Sequence, residues 1–254
     1  MKELILLAAF GTSEPQALIA YEKIEKEVKA AFPQAEIRYV YTSSMIRKKL
    51  AKQGKIILSP EEGLEKGHKD GFKKVTLQTL HVIPGIEYED LLKETASYRK
   101  LYESFYVGTP LIGSYEDATR VAEILLKLYG KREQDEAMIL MGHGTTHVNT
   151  LFYVALNSML QNTNPQIFLG TVEGFPNLEE TKEKIKKFKK VTLAPFMIVA
   201  GDHARNDMGG SEEDSWKSQF EKMGMKATPI YQGLGEFEEI AKIFTDHIKK
   251  AQKG

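Results

Sequence analysis

The chain has 254 residues, with 35 basic against 35 acidic side chains, 42% hydrophobic residues and no cysteine. That length accommodates one large α/β domain or two smaller ones around a sizeable core. The lack of cysteine excludes disulfide scaffolds, cysteine zinc fingers, iron–sulfur clusters and thiol nucleophiles, and the zero formal charge argues against nucleic acid as a partner.

In chain order, Leu4 to Phe10 is apolar but follows few charges and ends in Gly11-Thr12-Ser13 rather than in a small-residue cleavage site. We read it as a first strand and not as a signal peptide. No run approaches the roughly 18 apolar residues of a membrane span, so no membrane partner is expected and the default compartment is the cytoplasm. Short apolar runs then alternate with amphipathic segments, the pattern of βαβ units in a parallel sheet. Strands are expected at 3–9, 36–41, 74–80, 104–107, 137–141, 166–171, 191–196 and 227–230. Helices are expected at 15–31, 60–68, 88–100, 115–128, 148–160, 178–188, 212–223 and 237–251. Charge-rich Lys131 to Glu136 reads as a linker.

Parts of the chain repeat. Lys73-Lys74-Val75-Thr76-Leu77, followed at a distance by Gly85, recurs as Lys189-Lys190-Val191-Thr192-Leu193, followed at the same distance by Gly201. Phe10-Gly11-Thr12-Ser13 resembles His143-Gly144-Thr145-Thr146, and the run from Glu36 to Ser43 can be laid on Gln166 to Glu173. The expectation is an α/β fold of two similar Rossmann-like domains, parallel sheets flanked by helices and related by a pseudo-twofold repeat. We place their division at 1–132 and 133–254, with the last helix packing back on the first domain and the active site in the cleft between them.

Open parallel sheets bind ligands outside the carboxyl ends of their strands. In the second half the residues just past the three repeated strands are His143, Glu173 and His203; the aligned residues of the first half are Phe10, Ser43 and Glu87. One wall thus carries two imidazoles and a carboxylate, a common ligand set for divalent zinc, iron, cobalt or nickel and also a set for proton transfer. The bland alternative makes each His a cap or a hydrogen-bonded loop residue. His147 reads as a cap or supporting residue, His81 as facing either the cleft or its own loop, and His68 and His247 as solvated. Neither G-x-G-x-x-G nor G-x-x-x-x-G-K-[ST] occurs, nor does G-x-S-x-G. Asp202-His203-Ala204-Arg205-Asn206-Asp207-Met208 is denser in functional side chains than a structural turn requires, and Arg205 could pair with an anionic substrate.

The ordered motifs resemble the anaerobic cobalt chelatases of early cobalamin biosynthesis, the CbiK type, relatives of the class II ferrochelatases. The resemblance runs nearly end to end. It is carried by Phe10-Gly11-Thr12-Ser13, Thr42 to Leu50, Leu80-His81-Val82-Ile83, Glu87-Tyr88-Glu89, Met141-Gly142-His143-Gly144, Val172-Glu173, Val199 to Ala204, Asn206-Asp207-Met208, Asp214 to Lys217 and Gly233 to Glu236. One departure is Ile86, where a polar residue is usual. The resemblance implies sirohydrochlorin and Co²⁺ as substrates without ATP, His143 and His203 as catalytic histidines, and Glu173 as the metal-site carboxylate.

Metal insertion makes chemical sense of these groups. Two inward N–H protons must leave while a cation sheds water and enters the same hole, so a base and a metal donor have to cooperate. His143, Glu173 and His203 would hold Co²⁺, one imidazole also taking a proton. Phe10 and Tyr88 would stack on the ring, and Arg47, Lys48 and Arg205 would meet its carboxylates. Ser43 and Glu87 complete the expected substrate contacts, and a homo-oligomer stays open. Three rivals remain: insertion of Fe²⁺ or Ni²⁺ on the same scaffold, a non-catalytic tetrapyrrole or metal carrier, and a metal-free protein acting on a small anionic metabolite.

Overall fold

The computed structural model describes residues 2–253 and contains two compact units. The first takes the chain up to Gly113 together with the stretch from Glu238 onward; the second is Ser114–Phe237.

In the first unit β1 (Glu3–Ala9), β2 (Glu36–Tyr41), β3 (Lys74–Thr79) and β4 (Ser104–Gly108) form one parallel sheet in the order β2-β1-β3-β4. Leu4 to Ala9 are all buried, as a central strand covered on both faces requires. Around the sheet run α1 (Leu18–Ala31), α2 (Ser44–Ala51), α3 (Pro60–Lys69) and α4 (Ile86–Thr95). Their starts are written locally. Ser59 and Glu62 form a reciprocal capping box at α3, and Pro60 takes the first turn, where a missing N–H costs nothing. The core joins Leu4, Leu6, Ala8, Val40, Leu64, Val75, Leu77 and Leu91.

The second unit repeats the plan. Its strands are β5 (Glu136–Gly144), β6 (Ile167–Glu173), β7 (Lys190–Phe196) and β8 (Lys226–Pro229), all parallel, in the order β6-β5-β7-β8. With α5 (Tyr115–Tyr129), α6 (Leu151–Thr163), α7 (Leu178–Ile185) and α8 (Trp216–Lys222) it encloses a core of Ile139, Met141, Phe168, Leu193, Trp216 and Phe220. A side chain as fully buried as Phe220 contributes about 1.5–3 kcal/mol relative to exposure. The identical strand order in both sheets matches the sequence repeats, β1, β2 and β3 corresponding to β5, β6 and β7.

The units divide at 113/114 and 237/238, not at 132/133. Helix α5 packs beside α6 and so goes with the second unit, where residues 131–135 join it to β5. The last helix, α9 (Glu238–Ala251), packs on α1, β3 and β4 of the first unit. Within α9, His247 is buried and its Nδ1–H donates to the Thr109 carbonyl (3.1 Å), so the expected solvated histidine is a core residue. His68 is likewise half-buried, its ring edge-on to Tyr102. Among the described residues no helix is long and apolar enough to cross a membrane.

Candidate active site

In the second sheet the chain first steps from β5 to β6 on one side and then to β7 on the other, which puts the topological switch point between β5 and β7. Backbone and side chains beyond the carboxyl ends of those two strands are free to meet a ligand. His143 stands at the end of β5, and His203 follows β7 in a short helical turn continued by one π-helical turn, Ala204–Met208. The two imidazoles meet there edge to face, with ring centroids 4.9 Å apart.

The sequence placed His143 and Glu173 just past their strands; the structure carries both strands further. Gly142 pairs with Thr171 and Gly144 with Glu173, so both residues belong to the ladder. Gly144 makes this closure feasible. Its φ is +81°, and a Cβ there would lie 1.8 Å from the Glu173 carbonyl oxygen.

Hydrogen bonds select one neutral tautomer in both rings. His143 Nδ1 lies 3.1 Å from the Gly144 carbonyl oxygen, which can only accept, so in the neutral ring Nδ1 carries the proton and Nε2 the lone pair. His203 Nδ1 donates to Asp207 Oδ2, four residues on, with the same consequence. In its neutral form each histidine therefore offers Nε2 as the unprotonated nitrogen. Glu173 is exposed on the neighbouring strand end. Among the described residues no three His, Asp or Glu side chains are gathered closely enough to hold a cation between them. Of the expected triad, the imidazole pair is in contact.

Two loops beside the histidines are tied together by Thr150, whose hydroxyl donates to the Phe175 carbonyl (2.9 Å) and accepts from the Phe175 amide (3.4 Å). On and next to them Val148, Leu151 at the start of α6, Val172 at the end of β6 and Phe175 are exposed apolar side chains. Sequence reasoning gave none of these four a contact role; Val148 and Leu151 lie in the expected helix 148–160, where an apolar residue reads as core. His147 caps the turn before α6, its Nδ1 accepting from the Asn149 amide. Arg205 lies over the Tyr231 ring, with its guanidinium carbon 5.9 Å from the centroid.

In the first unit, Phe10 is exposed after β1. Ser43 is buried and caps α2 by accepting from the Ile46 amide. Glu87, in the first turn of α4, accepts from the Thr42 hydroxyl at 3.2 Å. Tyr88 is half-buried against the first core, and that burial raises its phenol pKa. Arg47, on α2, has Nη1 3.8 Å from Glu62. His81 is bonded to the Thr79 hydroxyl (2.7 Å). Its residue surface is partly open, but Nε2 is sealed from solvent, and burial pushes the ring down to about 4.

The family model for cobalt chelatase (CbiK) matches residues 3–253 of this chain. The chain belongs to the CbiK cobalt chelatase family. It is 34% identical to the sirohydrochlorin cobaltochelatase CbiKC of Nitratidesulfovibrio vulgaris, over 98% of this chain and 90% of that protein. It is 33% identical to the sirohydrochlorin cobaltochelatase of Salmonella typhimurium, over 99% and 97%. Among solved structures, SirB from Bacillus subtilis with Fe3+ superposes with a TM-score of 0.66 at 16% identity, covering 99% of this chain and 96% of that one. The last likeness is one of fold.

Proposed function

We propose that this pair of imidazole donors serves a sirohydrochlorin cobaltochelatase, which exchanges the two inner N–H protons of sirohydrochlorin for Co²⁺. The observation that carries the reading is the pair of adjoining histidines, each with Nδ1–H committed to an acceptor and Nε2 left as a lone pair, in a chain that belongs to the CbiK family.

An insertion releases two protons for each cation taken up. Pyrrolic N–H is too weak an acid for imidazole until the cation begins to bind ring nitrogens, so deprotonation and metal entry proceed in steps. An Nε2 lone pair serves both needs: it can replace a water on the incoming cation or accept a ring proton. A cation that must be passed on is better met by few protein donors, since the ring nitrogens supply the final ligands. Glu173, one strand over from His143, is the carboxylate that would offset the dication's charge and carry a proton to solvent. The exposed apolar side chains beside the histidines suit the flat face of the macrocycle. Phe10 and Tyr88 are the proposed ring contacts of the first unit, together with Ser43 and Glu87, and Arg205 is the proposed partner of a peripheral carboxylate. The reading assigns no role to ATP and places the enzyme in the cytoplasm.

The test is anaerobic: trace protein, excess sirohydrochlorin, and Co²⁺, Fe²⁺ or Ni²⁺ in turn, followed by absorption of the metallated ring. Many turnovers with Co²⁺ are expected. Conversion that stops at one equivalent of protein would mean a carrier, and turnover only with another cation would move the enzyme to that metal.

A further inference from the structure

Asp207 takes no part in the functional assignment above, although it touches one of its two histidines. Its position follows from the local helix. Asp202 and His203 open a helical turn that widens into the π-turn Ala204–Met208, and side chains four apart on it face each other. Two such pairs form side by side: Asn206 Nδ2 donates to Asp202 Oδ1 at 3.0 Å, and His203 Nδ1 donates to Asp207 Oδ2. Asp207 and His203 are both partly exposed, so the pair is not needed to neutralise a buried charge.

An isolated neutral imidazole can carry its proton on either nitrogen and can rotate about its side-chain bonds. A carboxylate against Nδ1 removes both freedoms: it can only accept, so the proton stays on Nδ1, and it holds the plane of the ring. What the neutral ring then has left at Nε2 is a lone pair, with the His143 ring in contact beside it. His143 achieves the same through a backbone carbonyl, which no side-chain substitution can remove. In His203 the device rests on one side chain.

We infer that Asp207 is a positioning residue for cobalt insertion, holding His203 in the Nδ1–H tautomer so that Nε2 is available to the incoming cation or to a ring proton. This rests on the assignment of His203 to the reaction. Losing a carboxylate that orients a metal-facing histidine costs about 10- to 100-fold.

The experiment compares Asp207→Ala with Asp202→Ala, which breaks the sister pair in the same turn without touching His203, and with His203→Ala. Each variant is assayed for insertion and for sirohydrochlorin affinity by absorption titration, and the tautomer of His203 is read from imidazole ¹⁵N shifts. D207A is expected to bind sirohydrochlorin as the wild type does, to lose about 10- to 100-fold in kcat/KM for Co²⁺, and to shift His203 toward Nε2–H. D202A is expected to keep both activity and tautomer. Wild-type insertion by D207A, an unchanged His203 tautomer in D207A, or an equal loss in D202A would each overturn the inference, the last by showing that the turn rather than the bond matters. Full activity of H203A would overturn the assignment of His203 itself; an inactive H203A beside a fully active D207A would overturn the role of Asp207 alone.

Discussion

Replacing Gly144 with alanine tests whether the junction of β5 and β6 sets the geometry of the site. Gly144 has φ +81°, a backbone conformation that costs an L side chain about 1–2 kcal/mol. In a unit of this size that alone lowers Tm by roughly 2–8 °C. The new methyl would also stand 1.8 Å from the Glu173 carbonyl oxygen, where ordinary contact begins at 3.4 Å. The two strand ends must therefore part by more than an ångström, taking His143 on one side and Glu173 on the other. Misplacing a reacting group by that distance costs on the order of 100-fold in rate. Gly224 supplies the control: its φ is also +81°, but a Cβ there meets nothing within 4 Å. G224A should show the loss in Tm with unchanged cobalt insertion, and G144A should show both losses. Differential scanning calorimetry and the anaerobic insertion assay read the two quantities. A G144A protein that inserts cobalt at the wild-type rate would refute the argument that this junction places the reacting groups.

His143→Ala should reduce insertion to background while sirohydrochlorin still binds in an absorption titration; retained turnover would remove His143 from the chemistry. His81 should make stability fall with acid. Its folded value of about 4 lies below the roughly 6.5 of an unfolded histidine, so from about pH 6.5 downward the unfolded chain takes up a proton that the folded ring refuses. The loss approaches about 3 kcal/mol near pH 4. Urea unfolding at pH 7 and pH 4.5 should show wild type losing more than His81→Asn, and parallel losses would count against an enclosed neutral ring. Leu151→Ala and Phe175→Ala should each raise KM for sirohydrochlorin by roughly 3- to 10-fold, the return on half-burying a side chain worth about 1.5–3 kcal/mol. An unchanged KM in both variants would mean that the macrocycle does not rest on these loops.

The strands were legible because each is a short apolar run between breakers, and all eight lie within three residues of their expected ends. The exceptions have physical causes. Strands β5 and β6 run on past Met141 and Thr171 because Gly144, at φ +81°, lets the ladder close on Glu173, and a glycine in a pattern reads as a break. Helix α2 escaped the reading of periodicity since only Leu50 in it is buried; its cap, Ser43, was the available signal. His247 was misread from Lys249 and Lys250, whereas Ile243 and Phe244, four and three residues before it, mark the buried face on which it falls. In the site, both histidines could be picked out from their places after corresponding strands. The pairing of His203 with Asp207 was open to a four-residue count once the turn was known to be helical, but a widened π-turn has no sequence signature of its own. The partner that fixes His143 is a carbonyl, and backbone acceptors are invisible in a list of side chains.

Because α9 supplies part of the packing around β3 and β4, the first unit is discontinuous, and an entire second unit is threaded into it. On a ribosome that delivers the chain in order, the inserted unit has all its strands and helices in hand while its host still lacks a wall. The older half of the polypeptide is thus the later one to be finished, and the apolar faces of α1 and β4 wait uncovered until α9 emerges.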